Sequence, residues 1–392
     1  VMSESKVGVA NPCALAEIAL GRKVNWRSVA NPEGLVEKTL GASIDALCAP
    51  VEGNLIVSGT ADSQSRLAAL MEQGADVGLA FRSAAKGGPM EAMLSALAPE
   101  AQERVVAALV GTDHQPAATG FTPPGAEWVD PGDFFEEATE LFDPVQGGLG
   151  DCYFIAALAA VAWARPFLIA QRTRATGASQ GEFVDRIDFF SNGVKNIEVS
   201  ERVPLLKGTH AWIYARSSEA GEIWPAVYEK AFAKWKTNDP TDQPAYTPIA
   251  GGWPVQATVE LTNLTGVVKT CADLSADQIW SLVRQNCLSY RTFNPMTAWT
   301  FCQTPPPVNY AGTGLVGYHA YTILGWAFVN NTRYVVIRNP WGTNGPVVNA
   351  LAGQWSAYDV SFWRQVPLNS GGIFAIPVET FKQYYWQFGW AS

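Results

Sequence analysis

The chain is short of histidine, of paired cysteines and of positive charge, and each shortage removes a class of function. Only three histidines, His114, His210 and His319, occur in 392 residues, so any chemistry that needs an imidazole has few candidates. Six cysteines (Cys13, Cys48, Cys152, Cys271, Cys287 and Cys302) are scattered along the chain and none forms a C-x-x-C pair. That spacing excludes a zinc ribbon and a small disulfide scaffold, and it makes a reducing cytoplasm the expected compartment. With 27 basic against 36 acidic residues the net charge is -9. Nucleic acid and anionic membrane surfaces are thereby disfavoured as main partners. The apolar segment Cys152 to Ala164 falls short of the roughly 18 residues that a membrane span needs. The opening "VMSESKVGVANP" lacks the basic and apolar regions of a signal peptide. No internal repeat or low-complexity tract occurs.

What is present is ample apolar material. A hydrophobic content of 48% over 392 residues exceeds what one core organises, so two or three domains are expected. Residues 1–111 carry helical spacing: Leu67, Leu70 and Met71, then Met90, Met93, Leu94 and Leu97, then "APEAQERVVAALVG", with Pro99 at a first helical turn and Gly111 at a stop. This region is read as a small, mostly α-helical domain. From Thr112 to Pro131, four prolines and two glycines with little apolar periodicity mark a linker, with its boundary at 112–121. Of the 15 tryptophans only Trp26 precedes this stretch, which assigns an aromatic core or cleft to the remainder of the chain. There, "EFVDRIDFF" and "KNIEVSERVPLL" read as strands and "EIWPAVYEKAFAKW" as a helix. "YHAYTILGWAF" and "RYVVIRNP" read as paired strands.

One stretch carries chemistry: "DPVQGGLGDCYFIAALAAVAWA", residues 143–164. A glycine-rich turn delivers Cys152 to the start of an apolar helix. If Asp151 caps that helix, the thiol sits in its first turn, where unpaired N–H groups and the positive dipole end favour a thiolate. Leu149 and Gly150 are expected to form the tight approach. The thiolate needs a proton partner. His114 falls in the linker and His210 in the "KGTHAW" turn, whereas His319 lies among small residues where a strand begins. Asn339, in "IRNPWG" at the end of the next strand, is placed to accept the imidazole N–H. Gln146 can add a side-chain N–H to the Cys152 backbone N–H in an oxyanion hole. Trp341 is placed to shield the histidine–asparagine bond from water.

In that order "QGGLGDCYFIAALAAV", "EIWPAVYEKAFAKW", "GLVGYHAYTILGW" and "IRNPWG" resemble the protease core of the calpain family, relatives of papain, over residues 122–392. The resemblance implies an α+β, papain-like two-lobed core, with an α-helical lobe at 122–265 and a β-rich lobe at 266–392. It implies a cysteine endopeptidase acting on protein or peptide through Cys152, His319, Asn339 and Gln146, with Gly150, Trp341, Gly251 and Gly252 in the substrate cleft and no organic cofactor. It also implies a calcium site with Asp143 and Glu222 among its acidic ligands. The family's second calcium site is largely missing its ligands here, since "TNGPVVN" follows "NPWG". Two alternatives remain at this stage: a transpeptidase or acyl transferase using the same cysteine, and an inactive protein-binding module. Residues 1–111 are expected to be either a self-processed pro-segment or an adaptor that binds the core or a partner.

Overall fold

The apolar run after the glycine turn forms a helix, and every residue of it from Tyr153 to Trp163 is buried. A segment apolar on all sides leaves no face for water, so it packs in the middle of the molecule. The computed structural model describes residues 30–40, 120–132, 134–135, 140–179, 182–359 and 362–392. The helical segments expected around 67–71, 90–97 and 98–111 lie outside the described residues, as do Cys13, Cys48 and His114. Before residue 112 the described part is helix α1 (Pro32–Leu40).

The first part of the core runs through β1 (Ala126–Val129), the central α2 (Cys152–Ala164) and α3 (Pro166–Arg172). Strands β2 (Thr173–Ser179), β3 (Glu182–Phe190), β4 (Val194–Ser200) and β5 (Val203–Leu206) come next, then helices α4 (Trp224–Thr237) and α5 (Pro254–Thr262). The expectation of a helical lobe is met only in part. Strands β2, β3 and β4 form a three-stranded antiparallel sheet in that order, and β1 pairs with β5. The physical reason is visible in β4, where polar residues alternate with Ile197 and Val199, a period of two. Helix α4 presents Trp224, Tyr228 and Phe232 to this core, and the Phe232 ring stacks on Phe154 of α2 with centroids 4.1 Å apart. It ends at Asn238, which takes the left-handed conformation common at helix ends.

The second part is built on one antiparallel sheet. Its elements are β6 (Gly266–Thr270), α6 (Ala276–Gln285), β7 (Cys287–Leu288), β8 (Arg291–Thr300), β9 (Ala320–Val329), β10 (Thr332–Arg338), β11 (Gln354–Asp359), β12 (Phe362–Pro367), β13 (Ile373–Pro377), α7 (Val378–Tyr384) and β14 (Tyr385–Ala391). Strand order is β13-β10-β9-β8-β14-β6, with β7 on β8, while β11 and β12 form a separate pair. Helix α6 opens on a reciprocal cap, Ser275 accepting from the Gln278 N–H and Gln278 answering the Ser275 N–H. Met296, Ile323, Val335, Ile337 and Phe374 fill the sheet's core. Helix α2 is held between the two parts: Thr322 Oγ1 donates to Ala156 O at 2.7 Å, and Trp163 Nε1 donates to Leu324 O at 2.8 Å. The β9–β10 register matters most for the site. Arg338 pairs with Thr322, so the next residue, Asn339, comes level with the start of β9, which His319 immediately precedes.

Candidate active site

Cys152 opens α2, half-buried, with its thiol against the backbone N–H of Ala320. The neighbour of that N–H is His319, 5% exposed and locked into the sheet at both main-chain groups. Its N–H donates to Thr300 Oγ1 at 3.0 Å, and its carbonyl accepts the Thr300 N–H at 3.0 Å. The imidazole lies 4.7 Å from the Trp341 ring and edge-on to Tyr321 at 4.9 Å. Its Nε2 is 2.9 Å from Asn339 Oδ1, which also accepts the Trp341 backbone N–H at 3.1 Å. Because a backbone N–H can only donate, the asparagine atom facing it is the oxygen, and Nε2 carries the proton. Nδ1 is therefore the basic nitrogen. Asn339 is itself held by its N–H to Gly372 O at 2.9 Å.

The glycine turn is clamped from both sides. Val145 exchanges two 3.0 Å backbone bonds with Arg216, the Gln146 N–H donates to Pro340 O at 2.9 Å, and the Gly148 N–H donates to Ile213 O at 2.8 Å. The close approach falls at Gly147 and not at Gly150 as expected from the sequence. A Cβ on Gly147 would stand 2.2 Å from Tyr214 O, whereas one on Gly150 meets only an ordinary 3.8 Å contact. Gly147→Ala is accordingly expected to push the turn off Tyr214 and cut turnover about 10- to 100-fold with KM little changed, the pattern of a displaced catalytic group. A steady-state comparison with Gly150→Ala, which should stay within about threefold by the same reasoning, checks it. Gln146 is buried, and its Nε2 donates to Leu149 O at 2.6 Å, which leaves the second amide hydrogen for another acceptor. Gly251 and Gly252 are exposed. The Gly251 N–H donates to Gly150 O at 2.9 Å, and Gly252 lies against the Tyr153 ring. His210 is exposed in a turn, 3.2 Å from Glu127, apart from this cluster.

Electrostatics here differ from the expected thiolate. Asp151 occupies the cap position but makes no side-chain cap bond. Burial pushes the Cys152 thiol up to about 11, and burial pulls His319 down to about 4 against the opposing bond from Asn339. Both effects have one cause, the cost of a charge in a dry site. Burial thus disfavours a lone thiolate and a lone imidazolium alike.

A second cluster lies behind the turn. Ligand oxygens of Asp143, Glu219 and Glu222 all fall within 4.8 Å of one another, so the two expected carboxylates are joined by a third, Glu219. Asp143 Oδ2 accepts the Glu140 N–H at 2.6 Å and the Trp224 Nε1–H at 3.0 Å, and Glu222 Oε2 accepts the Ser217 hydroxyl at 2.8 Å. Desolvation raises Asp143 to about 7, so its charge is costly without a cation beside it. An oxygen-only, largely buried donor set of this kind fits calcium better than a soft metal. Glu219 escaped sequence reading, although its position three residues before Glu222 in "SSEAGE" is a usable signal. So did Arg338, whose guanidinium donates to Phe142 O at 2.9 Å and Pro144 O at 2.8 Å, on either side of Asp143.

Comparison with known proteins bears on this arrangement. The family model described as "Calpain family cysteine protease" matches residues 112–386. A "Thiol protease" of Porphyromonas gingivalis is 27% identical over 97% of this chain and 87% of its own length. A "Calpain" of Schistosoma mansoni is 27% identical over 59% of this chain, and mouse "Calpain-9" is 24% identical over 59%. The chain spans only 30% and 34% of those two relatives. Among the described residues no helix is long and apolar enough to cross a membrane. A half-buried cysteine at a helix start beside a tautomer-fixed histidine thus sits within a match covering most of the chain, and on that match the protein belongs to the calpain family of cysteine proteases.

Proposed function

We propose that this cysteine endopeptidase cleaves protein substrates with Cys152 as nucleophile, His319 as general base and acid, Asn339 as the group orienting the imidazole, and Gln146 in the oxyanion site. The observation that carries the reading is the fixed tautomer: Nε2–H is committed to Asn339, so the lone pair of Nδ1 is what the ring offers beside the residue whose N–H meets the Cys152 thiol. Since burial disfavours a lone thiolate, attack and proton transfer go together. Sγ bonds to the substrate carbonyl carbon as its proton passes to Nδ1. The carbonyl π pair moves to oxygen, and that oxyanion takes hydrogen bonds from the Cys152 N–H and the second amide hydrogen of Gln146. Collapse breaks the C–N bond, and the imidazolium protonates the leaving amine. The thioester is then opened by water, whose proton goes to Nδ1, and the thiol leaves with that proton restored. Trp341 over the ring limits water at the Nε2–Asn339 bond, although at 43% exposure it also presents a face to substrate.

Asp143, Glu219 and Glu222 are the residues that would hold calcium, which would supply positive charge among three crowded carboxylates and draw the 140–146 turn toward the 217–222 loop. The test is chemical labelling with a peptidyl electrophile followed by intact-mass and peptide analysis, run with calcium and with chelator. Modification confined to Cys152 is the expected result, with slower labelling in chelator. Labelling spread evenly over Cys271, Cys287 and Cys302 would remove Cys152 from the role.

A further inference from the structure

Two carboxyls that the proposed mechanism does not use meet directly behind the nucleophile. Asp151 precedes Cys152, Glu229 lies mid-way along α4, and both are fully buried. Asp151 uses its main chain for the helix start, its carbonyl accepting the Phe154 N–H at 2.8 Å and the Ile155 N–H at 3.2 Å, while its side chain makes no cap bond and faces the Glu229 carboxyl. Glu229 Oε2 also accepts the Ala215 N–H at 3.0 Å. Apart from each other and the Asp151 main chain, Asp151 Oδ1, Asp151 Oδ2 and Glu229 Oε1 meet no protein donor among the described residues. Two acceptors cannot bond one another unless a proton lies between them.

We propose that Asp151 and Glu229 form a buried acid pair holding one proton, and that this pair acts as a positioning device, fixing the Cys152 end of α2 to the segment that backs Gln146. The inference rests on the reading of Cys152 as nucleophile. The linkage runs through named bonds. The shared proton ties α2 to α4, Glu229 ties α4 to Ala215, and the next residue, Arg216, exchanges two backbone bonds with Val145 beside Gln146. One proton therefore sets the distance between the thiol and the oxyanion site.

The groups facing the pair do not replace that proton. Cys152 and Tyr153 face Asp151 from α2, Tyr214 faces Glu229 from the strand-like segment before Ala215, and Tyr246 faces both from the loop before α5, with Asp242 beyond it. Lys230, next to Glu229 on α4, spends its ammonium on Ser200 O at 2.9 Å, Arg202 O at 2.7 Å and Asp242 Oδ2 at 2.9 Å. Burial raises Asp151 to about 7, and burial together with the Asp151 charge raises Glu229 well above the carboxyl range. Folded values above unfolded ones mean that stability from the pair is complete below about pH 4, falls as pH rises through 7, and continues to fall as the last proton is lost. That second charge appears one residue from the thiol, where it opposes the thiolate and drives the carboxyls apart.

The test uses the whole chain as wild type, Asp151→Asn, Glu229→Gln and Asp151→Ala, with melting temperature and the rate of Cys152 alkylation by iodoacetamide followed from pH 5 to 9. Either amide keeps a donor where the proton lay and cannot ionise. The wild-type melting temperature is expected to fall more steeply with pH than that of either amide variant. The alkylation rate at pH 9, relative to pH 6, should rise at least fivefold less in wild type than in Glu229→Gln, while Asp151→Ala should be slow at every pH. Parallel profiles for wild type and both amide variants would overturn the proposal. If an amide variant does not fold, infrared spectra of wild type at pH 7 decide: a carboxylic-acid C=O band that disappears on further alkalinisation supports the pair, and its absence overturns it. Failure of the nucleophile reading would look different, with iodoacetamide found on other cysteines whatever the melting profile.

Discussion

Cys152→Ala and His319→Ala should each lower peptide hydrolysis by about three to six orders of magnitude, and the double variant should be no worse than either single one. The first part follows from chemistry that has no substitute in the cleft. Without Sγ no acyl-enzyme forms, and without the imidazole the thiol must lose its proton against a value of about 11. The second part follows from the two groups acting as one unit, so removing the second takes nothing further from a path already lost. Rates on a fluorogenic peptide, with active protein counted by a folded-state signal, would measure this. Cys152 is only half-buried at the helix start, so the alanine variant should keep the wild-type melting temperature to within about 2 °C. If His319→Ala retains a tenth of the wild-type rate, the proton goes elsewhere and the proposed roles fail.

Arg338→Met is expected to cost about 3–5 kcal/mol of stability, a fall of about 10 °C in melting temperature. The side chain is 1% exposed, and burial lowers its pKa to about 10, so it is charged at neutral pH. It donates to three main-chain carbonyls: Phe142 O, Pro144 O and Gly371 O, the last at 3.3 Å. Methionine fills the volume but strands those oxygens in a dry site, and it strips the counter-charge that Asp143 feels. The carbonyls belong to the turn leading to Gln146 and to the segment leading to Gly372, which holds Asn339, so activity should fall with stability. Differential scanning calorimetry beside Arg338→Lys checks the account. Lysine keeps the charge but cannot reach three carbonyls in one plane, and should fall between the two. A methionine variant as stable as wild type would show that the carbonyls find other donors.

The elements that could be read from the sequence are those fixed by local pattern. An apolar run of 13 residues after a glycine turn is too long for an ordinary buried strand and reads as an interior helix, and the alternation in "YHAYTILGWAF" and "RYVVIRNP" gives the β9–β10 pair whose register brings His319 and Asn339 together. What the sequence hid depends on which atoms meet across the fold. Asp151 in the string "GDC" looks like a helix cap, and only the arrival of α4 turns it toward Glu229. Gly147 and Gly150 look alike until Tyr214 is packed on one of them. A thiol at a helix start suggests a low pKa, yet burial outweighs the Ala320 and Tyr153 N–H groups at Cys152. Strand β2, "TRATGAS", has no apolar alternation to mark it, whereas β3 and β4 read as strands even though the family resemblance makes their lobe helical.

The burial of α2 on every side has a further consequence for control of the enzyme. A helix with no wet face cannot fray or melt by itself. Its amide hydrogens from Phe154 onward should exchange with solvent only when the whole fold opens, among the slowest in the chain. Cys152, the proposed nucleophile, is thus mounted on an element buried on every side, and local unfolding there is not available as an off state. Any switch must instead work through its surroundings: the 140–148 turn, tied to the 213–216 segment, and the 339–342 turn, tied to Gly372. Control in such a molecule would therefore act on the bonds that hold those two turns around a fixed post.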